Sequence, residues 1–144
     1  MRALVLALVG VLAVACAGPT FTASQYRDKV AQTAKAMTGI IISAQHAARL
    51  DLDGKMLHTV TDTVVSDAEE DADSVQTTIE SRQPPDDASD QLRQQVEEPL
   101  QQATSLLTDL RIAVRDDDHD AQRAAADALD GPLSAFQQLS AVSG

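Results

Sequence analysis

The sequence predicts an all-α protein, an antiparallel up-down four-helix bundle, and three observations carry that reading. Apolar residues recur at steps of three and four through four successive stretches, with no strand-like alternation. Clusters of Asp, Gly and Pro punctuate the chain between them. The chain also has only two Phe, one Tyr, no Trp and six Gly. Such a composition favours helices packed closely through small side chains.

The first helix announces its own start. Thr22 and Gln25 have capping-box spacing, and Phe21 and Tyr26 stand where a hydrophobic staple would put them. Tyr26, Val30, Ala34, Met37, Ile41, Ala44 and Ala48 then share one face. Ile42 falls toward the polar side, where it is either a packed stem or the mark of a partner surface. Gly39, Ser43 and Ala47 form a small-residue row, expected at a close helix crossing. Asp51-Leu52-Asp53-Gly54 makes the first turn. It has part of a calcium loop but lacks the remaining EF-hand ligands, so Asp53 is expected to cap the second helix instead.

Leu57, Val60, Val64, Ala68, Ala72, Val75 and Ile79 give the second helix its apolar stripe, which ends near Arg82 before Pro84-Pro85 breaks the chain. Asp87 with Asp90 can open the third. Val96, Leu100, Ala103, Leu107, Leu110 and Val114 alternate steps of four and three, as bundle packing requires. Pro99 lies inside this pattern and should kink the helix without ending it, because the phase continues beyond it. The acidic turn Asp116–Asp120 precedes a fourth helix with Ala121, Ala125, Ala128, Pro132, Phe136 and Leu139 inward. Gly131-Pro132 should bend or split it.

The formal net charge is −11, with 22 acidic against 11 basic residues. It is unevenly spread: residues 17–50 are net basic, and the second helix holds the run Asp67, Glu69, Glu70, Asp71 and Asp73. Nucleic acid is excluded as a partner, since phosphate binding needs a basic face. Antiparallel register sets Lys35 opposite Glu69 and Lys29 near Asp73. It also gathers the three histidines at one end: His46, His58 and His119, with Asp51, Asp53, Asp116 and Asp118 as companion carboxylates. Histidine with carboxylate is a divalent-metal donor set. The competing reading is a solvated acidic tip, because His46 and His58 fall more than about 90° from the centres of their apolar stripes.

Residues 1–15 read as a signal peptide: Arg2, an apolar run from Ala3 to Val14, then small residues ending at the only cysteine, Cys16. The run is shorter than the roughly 20 apolar residues a spanning helix needs. The Ala13-Val14-Ala15-Cys16 ending resembles the lipobox of bacterial lipoproteins. That resemblance implies cleavage before Cys16 and a covalent diacylglyceryl and acyl lipid on it. Residues 16–21 then form the lipidated cysteine and a short tether, and 22–144 a single helical-bundle domain. At about 3.5 Å per residue, Ala17–Thr20 reach roughly 15 Å, which holds the domain close to the bilayer.

No Gly-x-Ser-x-Gly, phosphate loop or haem-attachment motif is present. Cys16 is committed to the anchor, which leaves no thiol for catalysis. The expectation is therefore a non-enzymatic lipoprotein without a cofactor, exported and anchored to the outer face of the cell membrane or the periplasmic side of a membrane. It would act as an accessory or binding partner of an envelope protein. The alternative is a divalent-cation-binding bundle with an acidic, histidine-bearing tip.

Overall fold

The structure, a computed structural model, describes residues 21–142; the expected signal peptide, Cys16 and the tether to Thr20 lie outside them. All regular structure among the described residues is helical: α1 (Ala23–Leu52), α2 (His58–Glu80), α3 (Asp87–Arg115), α4 (His119–Ala128) and α5 (Asp130–Val142). None of these helices is long and apolar enough to cross a membrane.

α1 starts as its sequence dictates. The Thr22 hydroxyl accepts from the Gln25 N–H at 3.3 Å, and the Gln25 side-chain oxygen accepts from the Thr22 N–H at 3.0 Å. Two of the free donors at the helix start are satisfied reciprocally. Tyr26 is fully buried, Phe21 packs on the core, and all seven residues of the expected stripe are buried. The Arg82 guanidinium lies 5.4 Å from the centre of the Phe21 ring, which ties the chain just past α2 to the start of α1.

α1 ends in a Schellman turn. Gly54 adopts a φ of +66°, its N–H bonds the Asp51 carbonyl at 2.8 Å, and the Lys55 N–H bonds that of Leu50 at 2.8 Å. This corrects the expected role of Asp53, which is the C-cap of α1 and reaches Lys55 at 2.9 Å. Leu57 stands at the N-cap of α2 and offers no side-chain bond. Asp53 is held by the turn that ends α1, too far upstream to serve the next helix.

The second half of the expected α2 stripe is inward, with Ala68, Ala72 and Ile79 buried and Val75 packed on the core, but the first half is rotated. Thr61, Val65, Ala68, Ala72 and Ile79 are buried, while Leu57 is 73% and Val60 45% exposed. Val64 and Val65 are adjacent, so the sequence supports two apolar faces about 100° apart. Packing between α1 and α3 selects the one through Val65.

In α3 all six stripe residues are buried, and the helix runs through Pro99 without ending. Its N-cap is Asp86, one residue before the expected Asp87; the Asp86 carboxylate accepts from the Ser89 N–H at 2.8 Å. Hydrogen bonding from the Ser89 side chain, and then from its backbone N–H, holds the Asp86 carboxyl below its usual range. α3 ends in a second Schellman turn, with Asp118 N–H on the Ala113 carbonyl at 2.9 Å. Here the left-handed position is filled by Asp117, at φ 55°. Asp118 then caps α4, accepting from the Ala121 N–H at 3.0 Å.

The final helix is interrupted at Leu129, two residues before the expected Gly131-Pro132. Pro132 has no N–H for the Ala128 carbonyl, so the ladder fails one turn upstream of the ring. The Leu129 N–H still reaches the Ala125 carbonyl, and the Leu133 N–H reaches that of Leu129. This shifts the inward face: Gln122, Ala126 and Leu129 are buried with Ala125, Pro132 and Phe136, whereas Ala121 and Ala128 are exposed.

α1 touches every other helix, and α3 reaches it across the bundle, whereas α2 touches only α1 and α3. α2 and α3 run in opposite directions, since Thr104 bonds Gln76 at 3.1 Å and Thr108 bonds Glu69 at 2.7 Å. α1 and α4 are tied by buried amides. Gln45 donates to the Ala126 carbonyl at 2.7 Å and to Asp130 at 2.8 Å, and Gln122 donates to the Ala48 carbonyl at 3.1 Å.

Candidate functional site

A concavity lies between the first two helices, with Val64 of α2 at its edge. A groove of about 680 Å³ runs between α1 and α2, lined by Gln32, Lys35, Ala36, Gly39, Ile40 and Ser43 on one side. Val64, Asp67, Ala68 and Asp71 line the other. A smaller furrow of about 260 Å³ shares Gln32 and Ala36 with it and adds Lys29, Thr33, Ser74, Val75 and Thr78. Together they form one trough along the two helices.

The small-residue row does not serve a close crossing. A Cβ built on Gly39 would meet nothing within 4 Å, and Ser43 is exposed; of the row only Ala47 is buried. At 100° per residue Gly39 lies about 180° round α1 from the buried stripe of Val30, Met37, Ile41 and Ala48, so it faces solvent and not a crossing helix. Ile42, 48% exposed, stays at the surface, two turns along the same face of α1 as Lys35.

Charge across the trough is divided. Lys29 and Lys35 stand on the α1 side, Asp67 and Asp71 on the α2 side. The expected pairing of Lys35 with Glu69 does not form, because Glu69 turns to α3. There it accepts from Thr108 and is ion-paired with Arg111. Burial pushes the Glu69 carboxyl up, but bonds from Arg111 and Thr108 and the charges of Arg111 and Arg115 outweigh it, so its pKa falls below the ordinary value. Lys35 makes no ion pair among the described residues. Among those residues the α1 rim thus keeps a free cation.

The histidine-bearing end is only partly assembled. His58 Nδ1 lies 3.3 Å from Asp51, whose carboxylate also accepts from buried Gln122 at 3.2 Å. His119 lies 3.3 Å from Asp117, and Asp53 is engaged by Lys55. His46 is exposed and has no hydrogen-bond partner among the described residues, and Asp116 and Asp118 serve the turn and the α4 cap. Among the described residues no three His, Cys, Asp or Glu side chains come together as a metal would require. The pairs His58–Asp51 and His119–Asp117 are separate contacts, one from the last turn of α1 to the start of α2 and the other from the turn after α3 to the start of α4.

Sequence reasoning missed Gln45 and Gln122, both buried and both bonded across helices. A polar residue on an inward face carries no periodic signal. Only the place of Gln45 beside Ile41, Ala44 and Ala48 on the inward arc of α1 could have hinted at it. Cys16, the expected lipidation site, lies outside the described residues.

Set against known protein families, characterised proteins and solved structures, the chain matches none.

Proposed function

We propose that the protein is a non-enzymatic lipoprotein: an up-down bundle fixed near the outer face of a membrane by a lipid on Cys16. It acts as an accessory or binding partner of another envelope protein. The observation that carries this reading is the single cysteine closing a short apolar run after small residues. Its distance from the fold supports it too, since the capping box at Thr22 begins α1 only six positions on. The opposed directions of α2 and α3 and of α1 and α4 support the up-down topology. A lipid is needed to hold such a protein at a membrane, because its net charge is repelled by anionic headgroups.

Two experiments test this reading. Metabolic labelling with a fatty-acid analogue should mark the wild-type chain and leave an exported Cys16→Ala chain unmarked and released from membranes. Proximity labelling of the anchored chain should enrich one envelope protein that the Cys16→Ala chain does not. Absence of lipid on Cys16, or diffuse labelling equal in both chains, would overturn it.

A further inference from the structure

We propose that a pocket between the end of α2 and the start of α3 binds a small primary ammonium with an apolar chain, held between the carboxylates of Glu80 and Glu97. This activity depends on neither the anchor nor the envelope partner named above.

The pocket lies where the two helices stop bonding each other. Further up the seam Thr104 bonds Gln76, and Thr108 and Arg111 bond Glu69. Toward the end of α2, beyond Gln76, a cavity of about 320 Å³ opens instead. Ile79, Val96 and Leu100 form its apolar floor, each no more than 2% exposed. Glu80, Arg93 and Glu97 complete the lining.

Charge selects the occupant. The same seam that sets Arg111 against Glu69 here sets two glutamates in one pocket, where like charges repel. Arg93 does not neutralise them, because its Nε and Nη2 both lie on Asp90 Oδ1, at 3.2 and 2.8 Å. Glu80 accepts from Gln76 of its own helix at 2.7 Å, and Glu97 forms no ion pair among the described residues. Two carboxylates repel an anion. A divalent metal lacks ligands, since among the described residues no three His, Cys, Asp or Glu side chains come together. A neutral apolar molecule would cover the glutamates and give them no partner. An ammonium pairs with both, while its chain covers the floor.

Tyr26 supplies the third contact. It is fully buried, its hydroxyl has no hydrogen-bond partner among the described residues, and the charges of Arg93, Asp90 and Glu97 all reach it. A buried hydroxyl left unpaired costs stability. A primary ammonium carries three N–H donors, one for each carboxylate and one for the phenol oxygen.

The test titrates the full exported chain, carrying Cys16→Ala so that no detergent competes, with hexylammonium chloride in a calorimeter. Hexanol, hexanoate, ethylammonium and Ca²⁺ serve as controls. Hexylammonium should bind saturably, and each control more weakly by about ten-fold or more. The chain has one tyrosine and no tryptophan, so a change in intrinsic fluorescence on binding places the ligand beside Tyr26. Glu97→Gln and Tyr26→Phe should each weaken binding by about ten-fold, yet raise the urea midpoint, because each removes a repelled or unpaired group from the fold. No saturable binding, equal binding of hexanol or Ca²⁺, or an affinity untouched by both variants would overturn the proposal. A lowered midpoint in both variants would overturn it too, since the two groups would then serve the fold.

Discussion

Helices α1 and α2 are neighbours in sequence and pack along their length, yet they occupy different positions in the bundle. α1 touches all the other helices and buries ten residues; α2 touches two helices and buries five. The apolar face of α1 is the one its periodicity names, whereas that of α2 follows its periodicity from Ala68 on and is rotated to Val65 in its first half. A central helix is constrained on several sides at once, so one face satisfies every neighbour. An edge helix meets two neighbours, has spare apolar residues, and shows the surplus to solvent as Leu57, Val60 and the wall of the groove. The difference teaches where to look for function: the edge, where packing leaves apolar surface uncovered.

Substitutions can sharpen or break this contrast. The largest effect is expected in the central helix: Ile41→Ala should lose about 2–5 kcal/mol in urea unfolding, because the cavity it leaves is walled on several sides. A loss under about 1 kcal/mol would mean that the core around α1 closes as easily as the edge does. Gln45→Ala should cost about 1–3 kcal/mol, since it strips the donor from the buried Ala126 carbonyl; a neutral result would show water reaching that carbonyl.

Next comes the tie that holds α2 to α3. Glu69 has a pKa below its unfolded value, so its carboxylate stabilises the fold above the ordinary glutamate range, and that stability is lost as pH falls through the folded pKa. Glu69→Gln should therefore lower stability by about 1 kcal/mol at pH 7. The gap to wild type should close on acidification below the ordinary range. A gap independent of pH would assign the effect to packing.

Gly39→Ala should raise stability by about 0.5–1 kcal/mol, because a helix-interior glycine here has open space over it. Destabilisation would mean that the α1/α2 gap closes in solution. Smallest of all, Leu57→Ser should shift stability by no more than about 0.5 kcal/mol. A larger loss would place Leu57 in a buried contact.

Legibility followed local chemistry. The Thr22 capping box, the stripe of α1 and the six inward residues of α3 stood in the sequence because each has one dominant periodic face. The stop at Gly54 was visible as a turn, and its geometry explains why Asp53 could not also cap α2. The α2 phase, the break at Leu129 and the inward glutamines were not visible. Each depends on which of two near-equal faces meets a neighbour, or on a bond to a distant carbonyl. The candidate site shows the same limit. Gly39, Ser43 and Ala47 were evident as a small-residue row, but the same row serves a tight crossing or an open groove. The three histidines were legible as residues near the turns, and the positions of His46 and His58 away from their stripes already spoke against convergence, while the particular pairs His58–Asp51 and His119–Asp117 were not legible.

By itself the sequence determined the helical class, the helix starts and stops that rest on caps and on Gly54, and the inward faces of α1 and α3. These are local or periodic properties, settled by hydrogen bonds within a few residues and by the 3.6-residue turn. The tertiary structure decided the phase of the first half of α2 and the diversion of Glu69 from Lys35 to Arg111. Those depend on side chains far apart in the chain competing for the same space and the same charge, and no local pattern records which of them wins.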